Sequence, residues 1–455
     1  MPVIPFRQIR RLLWSASRRP SLSKPMPDPR PATTCDVTVI GGGLAGKAAS
    51  LHLAKAGLKV ICIDPADANR PPVGESLDWS SPDLLKALGL PMDDIIATHL
   101  GTWKRHVIMK LPEGPSQDYV PDAWLGNAPF HVELRTLHVD RARLDEQLLR
   151  KVIDSGVTMV RDKVVRAEKN GKRISSVHTA GGEQFASPWF IDASGFATSF
   201  LARQFNVRAV HYGPPKVAIW TYFPGNDAIE GTTLYMDPQP SEYLDWVWEI
   251  PISTAVLSVG YVTTADGIKA KRQQGISVEN IFRNALMHFP RFSPLLEAAS
   301  MSPPSVVSFR SRIYIGVAGP NWLITGEAAS MLDPITSNGV TAALRHASEA
   351  ARLILRHRAR GRLPLRARIC YSMRIRQLAG FFNSGIENVV YQPPVRNRIG
   401  IRQTGAVYTG AAWTLNLVYA RMRPAGIFST FLISMLLGFF RLSGWIFFRL
   451  CKLGS

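Results

Sequence analysis

The sequence predicts an α/β fold: a Rossmann-like dinucleotide-binding domain, a β-sheet substrate domain set into it, and a helical C-terminal region. Three observations carry this. Asp36 to Asp64 reads as strand, glycine turn, helix, strand. Residues 205–315 read mostly as short strands and loops. From about Ser372 the chain is helical and increasingly apolar. The boundaries expected are a basic, disordered tail over 1–34, the dinucleotide domain over 35–204 and 316–371, the sheet domain over 205–315, and the C-terminal region over 372–455.

The first unit opens on "CDVTVI", a β-rich run. "GGGLAG" follows, with Gly41, Gly43 and Gly46 in the GxGxxG spacing. The first glycine permits a tight turn, the second lets backbone approach a pyrophosphate at the helix N-terminus, and the third lets helix and strand pack closely. Gly57 is placed at the helix C-cap. "KVICID" is the second strand and ends on Asp64, 18 residues after Gly46. A carboxylate there accepts hydrogen bonds from ribose hydroxyls. Val139 to Gly156 has the apolar spacing of an amphipathic helix, with Leu144, Leu148 and Leu149 on one side. Asn170-Gly171 marks a hairpin turn. "DWVWEIP" places Trp246 and Trp248 two apart, on one face of a strand. Taken alone, that strand is simply a core strand with two aromatics.

Composition sets the bounds. The 455 residues are 46% apolar, enough for a large core, and Lys plus Arg number 54 against 34 acids, a formal charge of +20. Such charge favours anionic surfaces: acidic proteins, membrane headgroups or nucleic acid. No nucleic-acid-binding motif accompanies it. The four cysteines are far apart with no CxxC, so neither a metal site nor a disulfide framework is expected, and a reducing, cytoplasmic compartment fits. The N-terminal stretch lacks the apolar centre of a secretory signal.

Three further segments resemble the FAD-dependent aromatic hydroxylase fold. "WFIDASGF" is similar to its second nucleotide-contacting turn, through Asp192, Ser194 and Gly195. "LITGEAASMLDP" is similar to the segment that binds the FAD ribityl and pyrophosphate, through Gly326 and Glu327; the acid here is Glu where Asp is usual. "VGESL" resembles the loop lying against the isoalloxazine, through Gly74, Glu75 and Ser76. Beside these, Trp246, Trp248, Ile250 and Pro251 match the WxWxIP signature of flavin-dependent halogenases. Lys104, 30 residues after Gly74, matches that family's catalytic lysine. "DPITSNGV" is similar to its halide-binding stretch, through Asn338, Gly339 and Val340. The resemblance covers roughly residues 35–350.

The resemblance implies an FAD-dependent oxidoreductase that activates O2 through a flavin C4a-hydroperoxide and modifies an electron-rich aromatic ring. In the halogenation branch chloride or bromide is oxidised and Lys104 holds hypohalous acid, while Trp246 and Trp248 wall flavin from substrate. In the hydroxylation branch the ring takes oxygen directly. Thr336 stands where tryptophan halogenases carry a catalytic glutamate, which argues against free tryptophan as substrate. The ring, phenol or indole type, is free, carrier-bound or part of a protein. Reducing equivalents come from NAD(P)H directly or through a partner flavin reductase. Three other readings stay open: a monooxygenase that hydroxylates a protein tryptophan in tryptophylquinone biogenesis, an isoprenoid-lipid reductase, and a non-catalytic FAD-binding scaffold docking an acidic partner.

"IFSTFLISMLLGFF", 427–440, is too short at 14 residues to span a bilayer, which needs about 20. It is expected to be a lid or core helix, a peripheral membrane contact, or a docking site for a partner.

Overall fold

The structure is a computed structural model. It describes residues 32–65, 73–111, 116–120, 135–225, 230–237, 243–298 and 303–392, with scattered helical positions between 431 and 449. Most of the expected tail and of the 427–440 segment lies outside the described residues.

The dinucleotide unit forms as expected. Val37–Ile40, Val60–Ile63, Trp189–Asp192, Trp322–Ile324 and Thr158–Val160 build a five-stranded parallel sheet with Val37–Ile40 at its centre. All but the edge strand Thr158–Val160 are buried on both faces, which is why they read as continuous apolar runs. Leu44–Ala54 packs on them, and the long helix Gly339–His357 packs against Leu44–Ala54. The amphipathic helix spans Arg141–Asp154, capped by the Asp140 carboxylate, which accepts from Arg143 N at 3.1 Å. Leu144, Leu148 and Val152 form its buried stripe.

The second sheet has seven strands, in the order Ser305–Phe309, Lys216–Pro224, Val256–Thr264, Asp245–Pro251, Gly231–Asp237, His106–Lys110 and Gln117–Tyr119. Two expectations need correction here. Three helices, Ala265–Gln273, Val278–Met287 and Ser293–Ala298, interrupt the stretch read as strands and loops. They cover one sheet face with Phe282, Leu286 and Leu296, and Phe292 joins them from the 3-10 turn Pro290–Phe292. In addition, two of the strands come from inside the segment assigned to the dinucleotide domain. His106–Lys110 joins by parallel pairing with Gly231–Asp237, a long-range contact that no local pattern reports.

The boundaries at 34 and 372 also shift. Thr33–Thr34, read as tail, pairs in parallel with Phe185 and Ala186. The C-terminal helix starts at Leu365 and runs to Gly385, then continues as a π-helix over Ile386–Tyr391. This helix covers the other face of the seven-stranded sheet through Leu378, Phe382, Ile386 and Tyr391. No helix among the described residues is long and apolar enough to cross a membrane.

Where the π-helix meets the sheet, Lys216 is buried with its Nζ 3.0 Å from Asp333 Oδ2 and 3.5 Å from Glu387 Oε2. The ammonium also lies 4.3 Å from the Tyr391 ring centroid. Lys216→Met would strand two buried carboxylates. Removing one partner of a buried ion pair costs about 3–5 kcal/mol. Chemical denaturation should show a loss of that order, and an unchanged midpoint would contradict the ion-pair role.

Candidate active site

The glycine turn sits at the C-terminal edge of the parallel sheet. Gly41 has φ +98, and a Cβ on it would fall 2.5 Å from Ala193 O. A Cβ on Gly46 would fall 1.8 Å from Gly41 O. Both positions therefore require glycine, for the tight turn and the close helix approach respectively. Gly43 differs: its φ is −66, and a Cβ there meets nothing within 4 Å. It is the N-cap of Leu44–Ala54, and no side chain caps that helix. Open space thus faces uncapped backbone N–H groups. Asp64 reaches over the same loop, its Cβ 2.8 Å from where a Cβ on Gly42 would lie.

Two further segments border this space. Asp192 ends the strand beside Val37–Ile40. Its carboxylate accepts from Ser194 N at 3.0 Å and Leu201 N at 2.6 Å, and burial pushes its pKa up. Expected among the nucleotide-contacting residues, Asp192 has its carboxylate engaged in holding its own turn. Ser194 Oγ accepts from Phe200 N, and Gly195, at φ +76, leaves open space. Gly326, at φ +58, lets the chain pass within contact of Ala45. Glu327 lies near Gly339, and burial raises its pKa against the pull of Arg141 and Arg312. Gly339 opens the second long helix, with Asn338 as its N-cap and Val340 buried next to it.

The GE loop supplies the rest. Gly74 has φ +105, and Arg141 donates to Val73 O at 2.7 Å. Glu75 is buried, accepts from Tyr222 Oη at 2.9 Å, and has its pKa raised by burial. Ser76 is the hub. Lys104 Nζ donates to Ser76 Oγ at 2.9 Å and to Leu77 O at 2.9 Å. Ser337 Oγ donates to Ser76 Oγ at 3.1 Å. With both lone pairs engaged, the Ser76 hydroxyl proton is left for Thr232 Oγ1 at 2.8 Å. Thr232 then donates to His138 Nε2 at 2.9 Å, and His138 Nδ1 faces Thr102 Oγ1 at 3.3 Å. Thr102 donates in turn to Pro251 O. One directional chain therefore runs from the lysine to the end of the WxWxIP strand.

The electrostatics fit that direction. Lys104 is 3% exposed, and burial pushes its pKa down to about 8, opposed by Asp78. His138 is held neutral, well below its ordinary value, by burial and then by the Lys104 charge. A neutral imidazole accepts at Nε2, as the chain requires.

Trp246 and Trp248 do lie on one strand face, with ring centroids 5.9 Å apart at 49°. Both rings are buried, at 2% and 5% exposure. The C-terminal helix covers them, and the Trp248 ring lies over Gly260, where a Cβ would approach within 2.1 Å. Trp246 Nε1 donates to Tyr391 Oη at 2.9 Å, and Tyr391 donates to Asp333 Oδ1 at 3.0 Å. Through Tyr391 the tryptophan strand is tied to the loop carrying Ser337 and Asn338. Thr336 turns its hydroxyl back onto Asp333 O at 3.1 Å.

Sequence reading missed Ser337, Thr232, His138 and Tyr391. Each is an ordinary residue type, and each has a partner more than 90 residues away.

Two family models match. Lycopene cyclase protein matches residues 36–216, the part with the glycine turn. Tryptophan halogenase matches residues 131–363, more than half of the chain. The chain belongs to the tryptophan halogenase family.

Members with related sequences include the tryptophan 2-halogenase of Chondromyces crocatus, 29% identical over 69% of this chain and 60% of that protein. This chain thus spans less than two thirds of that relative. The 1H-pyrrole-2-carbonyl-[peptidyl-carrier protein] brominase of Pseudoalteromonas luteoviolacea is 27% identical over 70% of this chain and 76% of its own length. In fold, the chain is similar to the flavin-dependent brominase Bmp2, with TM-score 0.65, 22% identity, and coverage of 85% of this chain and 98% of that one. It is also similar to halogenase PltM in complex with phloroglucinol and FAD, with TM-score 0.67, 18% identity, and coverage of 90% and 84%. Membership in the family implies FAD, and the residues fit it. The open, uncapped helix end at Gly43, with glycine obligatory at Gly41 and Gly46, has the room and the backbone N–H donors that a pyrophosphate requires.

Proposed function

We propose that this chain is a flavin-dependent halogenase of an electron-rich ring of phenol or pyrrole type. The observation that carries the reading is Lys104: a buried amine of lowered pKa, hydrogen-bonded to the GE loop and through Ser76 to the 333–340 loop.

Gly41, Gly43 and Gly46 would hold the FAD pyrophosphate, Asp64 a ribose, and the backbone at Gly326 and Gly339 the ribityl side. Bound FAD, reduced and supplied with O2, provides the oxidising equivalents that turn a halide ion into hypohalous acid. Lys104 then acts on that small acid. Its ammonium donates a hydrogen bond to the hypohalous oxygen, which weakens the oxygen–halogen bond. A ring carbon attacks the halogen with its π electrons, the oxygen leaves with the lysine proton as water, and the ring then loses its own proton. The backbone amides near Asn338, Gly339 and Val340 suit the halide at a helix N-terminus. The enclosed tryptophans act from beneath, as rigid packing that holds the loop through Tyr391. Thr336 offers no carboxylate to take the ring proton. A ring already activated by a hydroxyl or a pyrrole nitrogen has less need of one, which favours those rings over free tryptophan. Reducing equivalents come from a separate flavin reductase, in keeping with one glycine motif in the sequence. A carrier-bound pyrrole, as in the name of the Pseudoalteromonas relative, is one form the substrate takes.

The test is product mass. The protein is given FAD, a flavin reductase with NADH, O2 and bromide, with phloroglucinol or a pyrrole-2-carboxyl thioester. A bromine isotope doublet in the product is expected. Oxygen incorporation without bromine would replace this reading with hydroxylation.

A further inference from the structure

The positive charge is strongly uneven. Residues 350–455 carry seventeen Lys and Arg against one acid, Glu387, and so account for sixteen of the twenty net charges. Nine of those arginines fall between Arg352 and Arg376, with no acid among them.

Apolar side chains are exposed in the same region. On the helix Leu365–Gly385, Leu365, Ile369 and Met373 are 62%, 48% and 39% exposed. Four-residue spacing puts them on one helix face. Arg362, just ahead of the helix, and Arg366 and Arg376 within it, are exposed along that face. The helix's other face, with Leu378 and Phe382, is buried against the sheet. Farther on, the helical positions Phe431, Met435, Phe439, Leu442 and Ile446 are each at least 45% exposed, at spacings of three and four.

We propose that this basic, apolar C-terminal surface binds an anionic phospholipid bilayer peripherally. Guanidinium groups pair with lipid phosphates, while Leu, Ile, Met and Phe enter the headgroup–acyl boundary. An acidic protein would match the arginines but leave the large apolar side chains between them in water. The exposed positions run along one face of Leu365–Gly385, so the contact lies along the surface. It does not depend on the halogenation chemistry.

Sedimentation of the full, FAD-loaded chain with vesicles tests it. Binding is expected to vesicles containing phosphatidylglycerol and to be weak with phosphatidylcholine alone. It should fade near 1 M salt, where the screening length is about 3 Å. The triple change Arg362→Gln, Arg366→Gln, Arg376→Gln should lower partitioning roughly fivefold per arginine. Ile369→Asp should lower it with salt dependence retained. All these positions are exposed, so flavin content and unfolding midpoint should match the parent. Equal binding to both vesicle types, or none to the anionic ones, overturns the proposal. Retention on a polyglutamate resin that Ile369→Asp leaves unchanged, with no vesicle binding, assigns the surface to an acidic protein instead.

Discussion

Lys104→Met is expected to abolish most halogenation while the protein stays folded and yellow. A positioned proton donor is worth roughly 10²–10⁴-fold in rate, and kcat should fall by that order. The pH profile carries the same signature. Burial holds the Lys104 pKa at about 8, so the ammonium form is lost as pH rises through that value, and activity should fall with it. Stability should move the other way. The folded-state pKa lies below the ordinary lysine value of 10.5, so between about 8 and 10.5 the unfolded chain binds more protons and stability rises with pH. Below pH 8 the buried charge costs on the order of 3 kcal/mol. Lys104→Met removes that cost and keeps the side-chain length. The two hydrogen bonds it loses, to Ser76 Oγ and Leu77 O, offset that gain, so its stability should stay near the parent's at neutral pH. A variant that still brominates at the parental rate would remove Lys104 from the mechanism, and a variant that unfolds would make it structural.

Gly43→Val is expected to yield a normally folded, colourless protein, and Gly46→Ala a strained one. The two glycines are three residues apart in one motif, yet only the structure separates their roles. At Gly43 the backbone is already in a conformation open to any residue, and a Cβ meets no protein atom. A side chain there projects only into the space in front of the helix N-terminus. It should leave the apoprotein's unfolding midpoint unchanged and block the pyrophosphate. At Gly46 a Cβ would collide with Gly41 O, a backbone atom that cannot swing aside. Overpacking of this kind costs about 1–3 kcal/mol, and the helix must shift away from the strand. FAD retention by absorbance, set beside apoprotein melting, checks both. Yellow Gly43→Val protein would place the dinucleotide elsewhere.

Much of this was legible in local pattern. The buried parallel strands, the helix over Arg141–Asp154 with its Asp140 cap, and the hairpin at Gly171 follow from periodicity and turn chemistry. The helix Val278–Met287 was legible too, since Ser277 caps it and Ile281, Phe282 and Leu286 recur at helical spacing; what no local pattern reports is the sheet face they bury against. The tryptophan pair shows both sides of the matter. Alternation placed the rings on one face, but their enclosure was set by a helix more than 100 residues later.

The sequence by itself determined the dinucleotide unit, the family motifs, and the residue types available for chemistry. Each of these rests on neighbours within a few turns of chain, and that short range is what a linear pattern records. Only the tertiary structure decided that Ser76 joins Lys104 to Ser337, that His138 sits neutral behind them, and that Tyr391 ties Trp246 to Asp333. Those links are hydrogen bonds between residues that folding alone brings within 3.1 Å, and the burial that shifts the Lys104 pKa arises only with them.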